Sequence, residues 1–75
     1  MYSMKGWYFT ISYSPLWSTM KKRGATTYTL QVNGISSSTI RRMKAGESVS
    51  TNTIDALCRI LNCEIQDIAI YLPDE

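Results

Sequence analysis

The sequence of 75 residues contains no histidine and only two cysteines, Cys58 and Cys63. Structural zinc sites use about four Cys and His ligands, so two thiols without an imidazole do not complete one, and we expect no metal. The absence of histidine also removes the commonest general acid or base at neutral pH. Since the four glycines form no phosphate-binding loop either, we expect no cofactor and no enzymatic activity.

Long apolar runs are also missing. No run approaches the roughly 18 residues needed to cross a membrane. The first ten residues contain Lys5 but neither an extended apolar core nor the small-residue cleavage site of a secretory signal. We therefore expect a cytoplasmic protein with no membrane contact, in which both cysteines are reduced and Cys58 is buried in the core.

Acidic residues are absent from residues 1–44, which contain seven of the eight Lys and Arg residues. The remaining residues, 45–75, contain all six acids and Arg59, so the two parts carry formal charges of +7 and −5. This asymmetry indicates a polyanionic partner on one side of the protein. Chance segregation of charge in a short chain is the alternative explanation.

Capping and stop signals divide most of the chain into five short predicted helices. Apolar residues recur three and four positions apart, Ser or Thr precedes each of the first four segments, and Gly, Asn or Pro follows most of them. The predicted helices cover residues 15–23 with Ser14 as cap, 27–32 with Thr26, 37–45 with Ser36, 51–61 with Ser50, and 65–71 before Pro73. Residues 7–13 instead have a large apolar or aromatic side chain at every second position and are rich in aromatics, which predicts a strand that must pair with another.

Residues 34–44 carry the most information about function. Gly34 permits a sharp turn, Ile35 places an apolar side chain within that turn, and Ser36 caps the next helix. A helix that enters the major groove needs short polar side chains at its start and cations further along. The outer face of this helix has that pattern, with Ser37, Ser38, Arg41, Arg42 and Lys44. A cap cluster beside a solvated basic face is the alternative.

Residues 26–46 resemble the helix-turn-helix of the Cro/C1-type regulators, also called the Xre family, and residues 11–75 resemble a compact bacterial subgroup of that family. The matching segments are ISYSPLW at 11–17, TYTL at 27–30, GISSSTI at 34–40, STNTIDALC at 50–58 and IAIYLPDE at 68–75. The resemblance implies an all-α, five-helix lambda-repressor-like domain over residues 11–75, here with a short N-terminal β-strand. Residues 1–10 would form an N-terminal extension.

The resemblance also implies sequence-specific binding of duplex DNA through the major groove by a transcriptional regulator, expected to be a repressor. Residues just after the turn read bases in this family. Those positions are Ser37 and Ser38 here, with Arg42 one turn later, and we add Arg41 because it shares the outer face. Phosphate contacts fall on Thr26 or Thr27 and on Lys44, and the basic character of the first half adds Lys22.

We further expect a homodimer, because a single recognition helix reads only a few base pairs and a small domain gains stability from a second buried surface. The N-terminal strand could pair across a two-fold axis or pack against its own helices. The rival function is a repressor-like module that binds a protein, such as a toxin, with little affinity for DNA.

Overall fold

The computed structural model describes residues 10–72 of the chain. In chain order the elements are β1 (Thr10–Ser12), α1 (Ser14–Arg23), α2 (Thr27–Val32), α3 (Ser37–Lys44), α4 (Thr51–Leu61), a 3-10 turn (Ile65–Asp67) and β2 (Ile70–Leu72). The expected helical domain is confirmed, with four α-helices within the described residues in place of five. The expected N-terminal extension covers residues 1–10, and all of it except Thr10 lies outside the described residues.

Three of the predicted N-caps act as expected. The hydroxyls of Thr26, Ser36 and Ser50 each accept the backbone N–H three residues later, at 3.2–3.3 Å. Each bond satisfies one of the amide groups that a helix leaves without a partner in its first turn. Predicted helix starts at residues 27, 37 and 51 are therefore confirmed, and α3 ends one residue earlier than expected, at Lys44.

Ser14 does not cap α1, which was the expectation. The helix begins at Ser14 itself, and the N-cap position is Tyr13, whose side chain makes no capping bond. The Ser14 N–H is bonded to the hydroxyl of Ser12, at 3.2 Å. Tyr13 is buried, and its hydroxyl donates to the carbonyl oxygen of Glu47, at 2.9 Å, so tertiary packing of this ring accompanies the earlier start.

The predicted fifth helix over residues 65–71 is wrong. Only the 3-10 turn forms there, and the chain then becomes extended as β2, which pairs antiparallel with β1 in the register Thr10–Leu72, Ile11–Tyr71 and Ser12–Ile70. A helix this short is marginal by itself, whereas the extended form supplies hydrogen-bonding partners for the strand at the other end of the chain.

The same pairing decides how the N-terminal strand is accommodated. We expected a strand over residues 7–13 with little to pair with in the rest of the chain beyond a short extended tail at residues 71–74, and residues 10–12 pair with β2. Pairing with a second subunit is therefore not needed to satisfy the edge that meets β2. Residues 7–9 of the predicted strand lie outside the described residues.

Each of the four α-helices contributes to a single apolar core, which holds α3 against the rest of the domain. The side chains of Leu16, Leu30 and Leu57 are fully buried, as is Ile68 after the 3-10 turn. Cys58, expected to be buried, is only half-buried at the margin of this core. Among the described residues, ten apolar side chains are buried: Tyr13, Leu16, Met20, Leu30, Ile35, Ile40, Met43, Leu57, Leu61 and Ile68.

Candidate nucleic-acid interface

The turn between α2 and α3 is closed by backbone hydrogen bonds. The N–H groups of Asn33 and Ile35 both donate to the carbonyl of Leu30, at 3.2 and 3.0 Å, and that of Gly34 donates to Gln31. Gly34 has φ +104°, a conformation that side chains disfavour, so glycine suits this position. The turn directs Ile35 into the core, where only 6% of it is exposed, and so sets the direction in which α3 begins.

Helix α3 divides its residues between core and solvent as the sequence predicts. Ile40 and Met43 are buried on the inner face, with 5% and 2% exposure. The five predicted outer-face residues are all exposed: Ser37, Ser38, Arg41, Arg42 and Lys44. The sequence therefore identified correctly which side of the helix is available to a partner.

Two shallow cavities flank the exposed face of α3. The first, of about 280 Å³, lies at its C-terminal side and is lined by Ser38, Arg41, Arg42, Ala45 and Glu47. The second, of about 250 Å³, lies between α2 and α3 and is lined by Thr27, Gln31, Ser37, Ile40, Arg41 and Lys44. Arg41 lines both cavities, so it lies at the centre of the candidate interface.

The structure distinguishes Thr26 from Thr27, which the sequence left as alternatives for a phosphate contact. The Thr26 hydroxyl and N–H are both engaged with Thr29 in a reciprocal cap. The Thr27 hydroxyl makes no hydrogen bond within residues 10–72, and Thr27 shares a cavity with Arg41 and Lys44. Thr27 is therefore the better placed of the two.

Lys22 lies elsewhere. It lines neither cavity beside α3 but a third one, of about 210 Å³, together with Thr19, Arg23, Cys63 and Asp67. The structure therefore brings seven of the eight predicted contact residues to α3 or the start of α2, and it separates Lys22 from that group.

Two polar residues that line these cavities were not among the contact residues predicted from the sequence. Gln31 lies in α2 one turn beyond Thr27 and lines the same cavity, and its side chain has both donors and acceptors for base edges. Glu47 follows α3 and lines the other cavity beside Arg41 and Arg42. The sequence could have indicated Gln31, because it is a polar residue one helical turn after Thr27. The position of Glu47 could not be predicted in this way, because it depends on the path of the chain after α3.

The positive charges on α3 form no ion pair within the described residues. Among residues 10–72 the one ion pair joins Asp55 to Arg59 on α4, and Arg41, Arg42 and Lys44 take part in no ion pair there. These three cations lie within residues 41–44, on the exposed face of α3, and there is no acid among those residues. Such a face, preceded by a tight turn and a short helix, defines a helix-turn-helix DNA-binding domain.

The chain belongs to the family of Cro/C1-type HTH DNA-binding domains, which matches residues 15–74. Among solved structures the fold is similar to that of the transcriptional regulator VanUg, with a TM-score of 0.81 and 29% sequence identity. That similarity covers 99% of this chain and 96% of the other. A comparison with curated proteins gave no match. Within residues 10–72, no helix is both long enough and apolar enough to span a lipid bilayer.

Proposed function

We propose that the protein is a transcriptional regulator that binds a specific duplex DNA sequence and represses transcription from it. The observation that carries the proposal is the exposed face of α3, which presents the hydroxyls of Ser37 and Ser38 together with Arg41 and Arg42, two arginines that form no ion pair within residues 10–72. The similarity to VanUg along nearly the whole length of both chains supports a regulatory role. Its partner would be chromosomal DNA, and its place of action the cytoplasm.

We assign direct base contacts to Ser37, Ser38, Arg41 and Arg42. The two serines lie in the first turn of α3, and the two arginines lie one turn further on the same exposed side. Arg prefers the O6 and N7 atoms of guanine, whereas Ser hydroxyls bond to several bases and discriminate less. The arginines therefore carry most of the proposed specificity.

Phosphate contacts are assigned to Thr27 and Lys44, which lie on opposite sides of the cavity between α2 and α3. A hydroxyl and an ammonium group are typical phosphate ligands, and such contacts orient a protein on DNA without reading its sequence. Thr26 contributes by holding the start of α2 through its bond to Thr29. Lys22, which lies away from this cavity, would add only long-range attraction.

The active species is proposed to be a homodimer, since one short helix reads too few base pairs to select an operator. The described residues offer an apolar surface for a second copy. A cavity of about 390 Å³ lies between β1, the start of α4 and the 3-10 turn, and two of the apolar side chains that line it, Ile11 and Ile65, are exposed. Sedimentation equilibrium at micromolar concentration tests this proposal, and a monomer at every concentration would contradict it.

The proposed function is tested by selecting bound sequences from a pool of random duplex DNA. We expect a single enriched motif with two-fold symmetry, whose half-sites lie about one helical turn, or roughly 10 base pairs, apart. Salt-dependent binding without any enriched motif would show a non-specific DNA-binding protein. Failure to bind DNA at low salt would favour the rival function, a repressor-like module for a protein partner such as a toxin.

A further inference from the structure

Cys58 and Cys63 lie on either side of a tight turn that ends α4. Asn62 adopts the left-handed conformation, with φ 52° and ψ 58°, and reverses the direction of the chain after the helix. As a result the N–H of Cys63 donates to the carbonyl oxygen of Cys58, at 3.0 Å. The backbone therefore brings the two cysteines together, although five positions separate them in the sequence.

That hydrogen bond restricts the separation of the two residues to a range that a disulfide can bridge. With standard bond lengths it keeps the two Cα atoms within about 7 Å, which is the upper limit for a disulfide bond. The two thiols are close enough to influence each other, since Cys58 contributes to raising the pKa of the Cys63 thiol. Both are free and half-buried in the structure.

The surroundings of Cys63 suit an encounter with an anionic oxidant. Cys63 lines the cavity of about 210 Å³ that also contains the side chains of Lys22 and Arg23, with one acid, Asp67. Burial, the neighbouring Cys58 and Asp67 raise the pKa of the Cys63 thiol, and Arg23 opposes that rise. The raised pKa lowers the thiolate fraction at neutral pH, so thiol–disulfide exchange at Cys63 becomes faster as the pH rises. Within residues 10–72 no group of three or more Cys, His, Asp or Glu residues is placed to hold a metal ion.

We propose that Cys58 and Cys63 are a redox-modification site that a small disulfide oxidant, such as glutathione disulfide, converts to an intramolecular disulfide. The Cys63 thiolate attacks one sulfur of glutathione disulfide, and the other leaves as a glutathione thiolate that takes up a proton. The Cys58 thiolate then attacks the Cys63 sulfur of the mixed disulfide and releases the second glutathione. In the balance the protein loses two hydrogen atoms, the oxidant is reduced to two glutathione molecules, and the reaction is reversible.

The test is equilibration of the full-length protein in buffers of reduced and oxidised glutathione, followed by alkylation of free thiols and intact mass spectrometry. We expect the mass of a single polypeptide chain that has lost two hydrogen atoms, with neither alkylating agent nor glutathione attached. The matched variants Cys58→Ser and Cys63→Ser cannot complete the second step, so each should stop at a glutathione adduct. Wild-type protein that stays reduced, accumulates the adduct as the variants do, or forms disulfides only between chains would overturn the proposal.

A second comparison separates proximity in the fold from mere closeness in sequence and does not depend on the variants. The wild-type protein is equilibrated in the same buffers in its native state and in concentrated urea. Because the native turn orients the thiols, we expect the equilibrium constant for the disulfide to be at least about tenfold higher in the native state. Equal constants, or a lower constant in the native state, would show that the fold does not favour the bond.

Discussion

Lys44 offers the sharpest test of the proposed interface. It is the last residue of α3, it is exposed, and its charge is not paired with any acid among residues 10–72. It also lines the cavity between α2 and α3 opposite Thr27. Replacing Lys44 with Ala removes one cation from this face and leaves a residue with high helix propensity, so the helix itself should persist.

The expected magnitude follows from the release of counterions on binding. Each phosphate that a cation neutralises contributes about 0.9 to the slope of log affinity against log salt concentration. Because the proposed dimer contains one Lys44 in each subunit, the Lys44→Ala variant loses two such contacts and should have a slope smaller by about 1.8. Between about 50 and 200 mM salt, wild-type affinity should fall about 12-fold further than that of the variant. Fluorescence anisotropy with a labelled duplex that contains the selected motif, recorded across this range, measures both slopes.

Lys22 supplies the matched control, because the same charge is removed from an exposed site that lines a cavity without any residue of α3. We expect Lys22→Ala to change the slope clearly less than Lys44→Ala does. Circular dichroism should show that both variants are folded. An unchanged slope for Lys44→Ala would remove Lys44 from the interface, and an equal change for the two variants would show that only overall charge matters.

Three further predictions follow from single side chains. Arg42→Ala should reduce discrimination at one base position of the selected motif by about 1–3 kcal/mol, and an unchanged ratio of specific to random DNA binding would exclude a base contact by Arg42. Ile35→Ala should lower the free energy of unfolding by about 2–5 kcal/mol, because the buried side chain fills the turn. Ile35→Val should lower it by only about 0.5–1.5 kcal/mol. Equal losses for the two variants in urea titrations would refute this. Tyr13→Phe removes the hydrogen bond to the Glu47 carbonyl and should lower that free energy by about 0.5–1.5 kcal/mol, which an unchanged urea midpoint would contradict.

The starts of three helices could be predicted because the interactions that begin them are local. Thr26, Ser36 and Ser50 each bond to an amide three residues later, and nothing distant has to be known. The start of α1 shows where this reasoning stops. Ser14 had the right residue type for a cap, but the helix begins one residue earlier, beside a buried Tyr13 that bonds to a carbonyl 34 residues away.

The predicted helix over residues 65–71 was wrong for a related reason. Ile65, Ile68 and Ala69 have the spacing of a helix face, yet only Ile68 is fully buried, and Ile65 is 62% exposed. The backbone after the 3-10 turn pairs with residues at the other end of the sequence. A periodic pattern within seven residues contains no information about a partner that lies about 60 positions away.

For the candidate interface, the sequence by itself determined which residues face outward. Alternation between apolar and polar positions around Ile40 and Met43 was enough to place Ser37, Ser38, Arg41 and Arg42 on the open side, since a helix repeats every 3.6 residues. It also determined the family, through short motifs spread over most of the chain. Which of these residues contact DNA stays a prediction.

Only the tertiary structure decided which residues lie together across elements. In the structure Gln31 and Thr27 line one cavity with Arg41, and Glu47 lines another with Arg42. Lys22 lines a third cavity, which contains no residue of α3. The angle between α2 and α3 and the course of the chain after α3 set these neighbours, and both depend on how the buried side chains of all the helices pack together. Local propensity stops at the end of each helix, whereas the shape of the surface that a partner meets results from packing of the whole core.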